Sequence, residues 1–325
     1  MAIVLQTYKG YANEQEIIIF GHLYSRPEIG YDFQGRKIRH AVEIFKMFKL
    51  QPFSNHSIVL KLNGIEVQTK TLKDGYFRFS IPYSYNLSAG WHLAELQAEI
   101  EGKIITEKVE FIKPYPGEYG LISDIDDTFL ISHTRSLFKK IYVLLTQNIH
   151  RRKIFTDVLQ HYRILSNAGR KKNMGSNAFF YVSSSEWNLY NFINEFTDLN
   201  EFPKAVFKLK KLKTGLLDFL RSGGGNHDHK FHKIKHIIEF YPELQFILIG
   251  DDTQQDPYIY ERIVKLFPLN ISIVYLRQTG LKPKVNSVKA LSNIETMGVE
   301  TLYFKDSSIA IEHSTKLLAQ LNHAK

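Results

Sequence analysis

From residue 119 onward the chain alternates two rhythms. Short apolar runs ("YGLISDI", "AFFYVSS", "AVFKLK", "FILIGDD", "ISIVYL", "TLYF") are separated by amphipathic stretches such as "NLYNFINEF", "KFHKIKHIIEFY" and "YIYERIVKLF". Strand-length runs without polar alternation need cover on both faces, which intervening helices supply. The alternation predicts a parallel sheet flanked by helices, an α/β architecture. In open sheets of this class the functional site lies outside the carboxyl ends of the strands. Polar clusters at those ends therefore carry the functional reading.

The first 113 residues have a different rhythm. "EIIIFGHLYS", "SIVLKLNGIEVQTKTL", "GYFRFSI" and "HLAELQAEIEGKIITEKVEFI" carry alternating or β-branched runs, punctuated by Asn63-Gly64, Asp74-Gly75 and Glu101-Gly102. "HAVEIFKMFKL" (40–50) is the exception and reads as helical, with Ala41, Ile44, Phe45 and Phe48 on one face. Short strands with regular turns predict a β-sandwich-like domain over 1–113. The Pro/Gly stretch "KPYPGEYG" places a linker at 114–118, and 119–325 form the second domain. A chain of 325 residues has room for both cores.

Four polar pieces fall at strand or helix starts. They are Asp124-Ile125-Asp126-Asp127-Thr128, Ser183-Ser184-Ser185, Lys230, and Asp251-Asp252 with Asp256 close behind. Like charges this close repel, so a cation or a reaction must offset the crowding of Asp124, Asp126 and Asp127. Phosphoryl transfer through an aspartyl-phosphate suits each residue type. Asp124, at a strand tip, would be the ionised nucleophile. Asp126 would protonate the leaving alkoxide and later deprotonate water. Ser183 and Lys230 would hold the transferring oxygens, with Thr128, Ser184 and Ser185 as neighbouring hydroxyls for the substrate. A carboxylate attacking a phosphate needs a hard divalent cation between them, and Mg²⁺ accepts one or two carboxylates and a backbone carbonyl. Asp124 and Asp251 would supply the carboxylates and Asp126 its backbone.

The charge distribution adds a further feature. Residues 129–176 hold ten Lys and Arg against Asp157 alone, in a chain of net charge +9. Such a run is either a solvated helix face or an anion-facing surface. Leu137, Phe138, Ile141, Leu144 and Leu145 recur at helical spacing beside Arg135, Lys139 and Lys140, which suits an acidic membrane surface. Arg151, Arg152 and Lys153 would then face phosphate or lipid. His227, His229, His232 and His236 read as helix-face residues beside Lys230, with a Zn²⁺ site as the weaker alternative. No GxxxxGK[ST] occurs, and with zero cysteines there is no thiolate metal site or disulfide. No run of about 18 apolar residues occurs and the start lacks a signal-peptide pattern, so a cytoplasmic protein is expected, with peripheral membrane contact.

The order of these motifs resembles that of the haloacid dehalogenase superfamily. More narrowly, "LISDIDDT", "FFYVSSSEWNLY", "FHKIKHIIEFYPELQFILIGDDTQQDPYIY" and "ISIVYLRQ" are similar to the App1-type phosphatidate phosphatase catalytic domain, over roughly 117–280. The resemblance implies a Rossmann-like sheet and Mg²⁺-dependent hydrolysis of phosphatidate to diacylglycerol and phosphate. It matches Asp124 to the nucleophile, Asp126 to the acid/base, Ser183 to the second-motif hydroxyl, Lys230 to the third-motif lysine and Asp251 to the fourth-motif carboxylate. Asp256 is matched to a group that either touches the metal or supports its ligands from behind. It implies a cap where the basic insert of 129–176 stands. Glu186 and Ala205 depart from the family's usual Pro and Gly, and both are expected near the site mouth, where they would bear on substrate preference. Two rivals stay open: a phosphatase of a soluble or nucleic-acid phosphate ester, and a catalytically silent module binding anionic lipid. Nucleic acid is not expected as a partner, and the sequence leaves the oligomeric state open.

Overall fold

A computed structural model describes residues 1–27, 48–117, 119–125, 157–170, 175–213, 228–253 and 255–323. The first eight strands are β1 (Ala2–Ala12), β2 (Glu16–Arg26), β3 (Gln51–Pro52), β4 (Ser57–Leu62), β5 (Ile65–Lys70), β6 (Tyr76–Pro82), β7 (Gly90–Ile100) and β8 (Lys103–Lys113). They form one sheet in the order β3-β2-β1-β8-β7-β4-β5, with β6 also paired to β2. Asn63 and Gly64 (φ 50° and 80°) close the β4–β5 hairpin, and Glu101 and Gly102 (φ 51° and 74°) close β7–β8. Positive φ at both central residues matches the twist of flanking strands, which is why these dipeptides mark the turns.

The packing is sandwich-like but is reached by another route than two stacked sheets. Ile19 and Leu23 of β2, Leu60 of β4, Phe79 of β6 and Leu96 of β7 share one buried cluster. Strands far apart in sheet order thus face each other, so a single sheet curls around its own core.

β2 is buried on both faces, and this joins the two halves of the chain. Ile17, Ile19 and Leu23 point into the curled sheet, whereas Ile18, Phe20 and Tyr24 belong to the core shared with Trp187, Phe207 and Phe240. Tyr8 stacks on Trp187 with ring centroids 3.9 Å apart, and Tyr241 donates to the Ala12 carbonyl at 3.1 Å. The first sheet ends at Lys113 and the second begins at Tyr119, where the linker was expected, but apolar packing continues across that boundary. Of the helix expected at 40–50, residues 40–47 lie outside the described residues; Phe48 is buried in the shared core.

The second sheet is entirely parallel: β9 (Tyr119–Ser123), β10 (Ala178–Glu186), β11 (Val206–Lys210), β12 (Gln245–Asp251), β13 (Ile271–Arg277) and β14 (Glu300–Phe304). Its order is β11-β10-β9-β12-β13-β14, so the winding direction reverses between β9 and β12. A crevice at such a reversal is where open α/β sheets bind ligands. The described helices are α1 (Val158–Ser166), α2 (Tyr190–Leu199), α3 (Asp228–Phe240), α4 (Asp256–Leu266), α5 (Val285–Thr296) and α6 (Ser307–His323). The apolar runs of the sequence became the strands and the amphipathic stretches the helices, as read. Among the described residues no helix is long and apolar enough to cross a membrane.

Of the basic segment 129–176, residues 157–170, 175 and 176 are described. There Arg163 pairs with exposed Glu201, and Arg170 donates to the carbonyls of Pro116 (3.0 Å) and Gly175 (2.7 Å) while lying over the Tyr115 ring. These two arginines therefore tie surface elements together. Arg135, Lys139, Lys140, Arg151, Arg152 and Lys153 lie outside the described residues.

Candidate active site

Asp124 follows β9 directly, and its N–H donates to the Ile249 carbonyl of β12 at 2.9 Å, so the ladder fixes its backbone. The residue is fully buried. Its Oδ1 accepts the Ile125 N–H at 2.8 Å and lies 3.1 Å from Lys230 Nζ, which fixes the plane of the carboxylate. Lys230, in the first turn of α3, is itself buried and reaches on to Asp256 Oδ1. A buried lysine between two buried carboxylates holds all three side chains in place together.

Asp251 ends β12, the strand beside β9, and is also fully buried. Its Oδ1 accepts from both the N–H and the hydroxyl of Thr253, the latter at 2.6 Å, an arrangement that turns the chain toward α4. Asp256 opens α4 with its Oδ2 3.4 Å from the Asp251 N–H. Gly250 makes this possible: a Cβ there would stand 2.5 Å from Asp256 Oδ2 and 2.7 Å from the Tyr260 hydroxyl. Asp252 faces elsewhere. It accepts from the Thr279 N–H (3.1 Å) and the Tyr303 hydroxyl (2.7 Å) and sits 3.4 Å from Lys284 Nζ.

Ser183 and Ser185 are buried near the end of β10, the other neighbour of β9, with the Ser185 N–H donating to Ser183 Oγ at 2.9 Å. Ser184 is partly buried between them. The structure thus brings Asp124, Ser183, Lys230, Asp251 and Asp256 to one edge of the sheet. Asp126, Asp127 and Thr128 lie outside the described residues.

Several supports had no sequence signal of their own. Tyr260 of α4 donates to the Ile249 carbonyl at 2.8 Å, the group that also accepts from Asp124. Ser123 Oγ donates to the Asp124 carbonyl at 2.9 Å and lies 2.6 Å from the Tyr162 hydroxyl. Burial pushes both tyrosine hydroxyls well above their usual range, and nearby carboxylates push further, so both stay protonated as donors. Arg277, paired in register with Asp251, has its pKa lowered to about 10 by burial, against the opposing pull of Tyr162, Asp251 and Asp306.

Two expectations about the site mouth separate. Glu186 ends β10 at the carboxyl edge, buried, with Oε1 3.2 Å from Lys213 Nζ. Ala205 is also buried but immediately precedes β11. Because the sheet is parallel, the start of β11 lies at the edge opposite the site. Ala205 is therefore a packing residue remote from the mouth, correcting the expectation. Among the described residues no histidines group to hold a metal either. His236 is 3.0 Å from the Tyr11 hydroxyl at the junction of the halves, its pKa lowered chiefly by burial, and His232 is exposed. His227 lies outside the described residues.

Among the described residues no three carboxylate or imidazole side chains are grouped to hold a metal. Asp124 and Asp251 nevertheless fit a hard divalent cation in donor chemistry: they are two buried carboxylates on adjacent strand tips.

Residues 119–278 match the family described as phosphatidate phosphatase APP1, catalytic domain. The chain is similar to phosphatidate phosphatase APP1 of Saccharomyces cerevisiae, 25% identical over 288 residues, which cover 84% of this chain and 46% of that protein. The chain thus spans less than half the length of that relative. Among solved structures, a carbohydrate acetylesterase from Xanthomonas citri aligns over 99% of this chain and 75% of its own at 9% identity, with a TM-score of 0.37. A β-glucuronidase from Parabacteroides merdae aligns over 93% and 40% at 10% identity, with a TM-score of 0.29. Likeness this slight carries no functional argument.

Proposed function

We propose that this chain, whose residues 119–278 match the phosphatidate phosphatase APP1 catalytic-domain family, hydrolyses phosphatidate to diacylglycerol and phosphate on a Rossmann-like, haloacid dehalogenase-type sheet. The observation that carries the reading is the buried Asp124–Lys230–Asp256 chain at the carboxyl edge, inside the matched segment. A carboxylate held by its own backbone ladder and by a fixed ammonium supports the nucleophile reading, because in-line attack needs a carboxylate of fixed orientation.

In the first step a carboxylate oxygen of Asp124 bonds to phosphorus as the phosphorus–alkoxide bond breaks. Asp126 gives its proton to the leaving glyceride oxygen. In the second step Asp126 takes a proton from water, the water oxygen bonds to phosphorus, and Asp124 departs with its electron pair. Lys230 and Ser183 hold the equatorial oxygens as charge develops on them. Asp256 keeps Lys230 in place. Asp124, Asp251 and the Asp126 carbonyl would hold Mg²⁺, which supplies charge shielding between carboxylate and phosphate.

The division into a curled β domain and a catalytic domain is part of the same proposal, with the β domain anchoring α2 and α3 through Tyr8 and Tyr11. Phosphate release from a panel of phospholipids and soluble phosphate esters, with Mg²⁺ or EDTA, tests the reading. Turnover should be greatest on phosphatidate, stop in EDTA, and fall at least about a thousandfold in Asp124→Asn. Preference for soluble esters would establish the rival substrate class, and no turnover on any ester would establish the silent binding module.

A further inference from the structure

The loop from Gln278 to Lys284, between β13 and α5, begins where Arg277 pairs with Asp251, so it stands on the same edge as Asp124. It is stapled down at both ends. The Gln278 N–H donates to the Phe304 carbonyl at 2.7 Å and Thr279 to Asp252, while the Lys284 N–H donates to Tyr303 at 3.1 Å and its ammonium meets Asp252. Between these staples and just past the second, the apolar residues are exposed. Leu281 is 90% exposed and Val285, the first residue of α5, 82%. Val288, one turn further on, continues that face at 47%.

A fixed loop that keeps a leucine and a valine in water leaves apolar area unburied although the ordering entropy is already spent. Its charge indicates what would cover it. Residues 278–289 hold Lys282, Lys284 and Lys289 and no acidic residue. Lys284 is held by Asp252, but apolar tips beside Lys282 and Lys289 suit the boundary of an anionic bilayer, where the leucine enters the acyl region and these two ammonium groups meet phosphates. A protein partner would be expected to present its own acids to these lysines.

We propose that the Leu281–Val285 tip docks this edge of the enzyme on an anionic phospholipid surface. The proposal rests on the phosphatidate reading for its choice of surface. The loop is tied to Asp252, next to Asp251, so a docked tip brings the carboxyl edge of the sheet toward the lipid phosphates.

The test places a tryptophan at the tip, in a chain also carrying Asp124→Asn so that the lipid is not consumed. Emission is compared with the parent chain on phosphatidate–phosphatidylcholine vesicles. Leu269→Trp is the control: Leu269 is 86% exposed but precedes β13, at the opposite edge. Leu281→Trp should shift to the blue and be quenched by brominated acyl chains, less so at high salt, and Leu269→Trp should not respond. Leu281→Asp with Val285→Asp should lower vesicle affinity about tenfold or more. The proposal is overturned by a silent Leu281→Trp, by an equal response at Leu269, or by emission already blue without vesicles, which would mean that protein covers the tip. Hydrolysis by the otherwise unaltered enzyme separates the two readings. Turnover of phosphatidate with a silent tip removes the docking proposal alone, and tip insertion without turnover removes the phosphatidate reading alone.

Discussion

Replacing Lys230 by Met removes the ammonium between two carboxylates while keeping most of the volume. In the native chain Nζ is 3.1 Å from Asp124 Oδ1 and bonded to Asp256 Oδ1, and both acids are fully buried. Stranding a buried charge costs about 3–5 kcal/mol, whereas replacing both partners together is far milder. Lys230→Met should therefore destabilise the fold by about 3–5 kcal/mol, and adding Asp256→Asn should restore roughly half of that loss. Activity should behave differently: loss of a fixed cation at the transferring oxygens costs about 10²–10³ in kcat, and the second substitution should not return it. Urea unfolding followed by circular dichroism, with phosphate release on the same preparations, gives both quantities. A cost under about 1 kcal/mol, or simple additivity with Asp256→Asn, would refute the buried relay.

Three further outcomes are expected. Gly250→Ala should cost about 1–3 kcal/mol and impair turnover, because its Cβ would displace Asp256 and Tyr260; an unfolding midpoint equal to the parent's would contradict that packing. Burial lowers the pKa of His22 to about 4 and of His161 to about 3, so the unfolded chain binds more protons below about pH 6.5. Stability should thus be intact above that pH and fall by up to roughly 1.4 kcal/mol per pH unit per histidine on acidification, a slope that His22→Gln should reduce in urea titrations at several pH values. Tyr8→Ala should cost about 3–5 kcal/mol, since the ring is buried against Trp187; a loss confined to the curled sheet, with the catalytic segment's hydrogen-exchange protection unchanged, would show that the halves are uncoupled.

The parallel sheet was legible because its strands are buried on both faces, so that "FILIGD" and "ISIVYL" carry no alternation. The same fact hid the junction between the halves. "EIIIF" in β2 reads as an ordinary strand, and only the fold shows that its second face meets Trp187 and Phe207. The convergence of Asp124, Ser183 and Asp251 was legible because strand ends in a parallel sheet share one edge, and that of Lys230 because it opens a helix that reaches the same edge. Their supports escaped because Tyr162, Tyr260 and Arg277 act through contacts 11 to 115 residues away, which no spacing rule encodes. Ala205 was misplaced because position in the motif order says nothing about which end of a strand a residue occupies.

The central claim is that Asp124 carries the phosphate. Turnover of phosphatidate labelled at phosphorus, quenched in acid and mapped by peptide mass spectrometry, addresses it directly, with Asp126→Asn used to slow release of the covalent species. Label on the peptide bearing Asp124, removable by hydroxylamine and absent in Asp124→Asn, is the expected result. Steady turnover with no covalent phosphate, or label on any other residue, would contradict the mechanism.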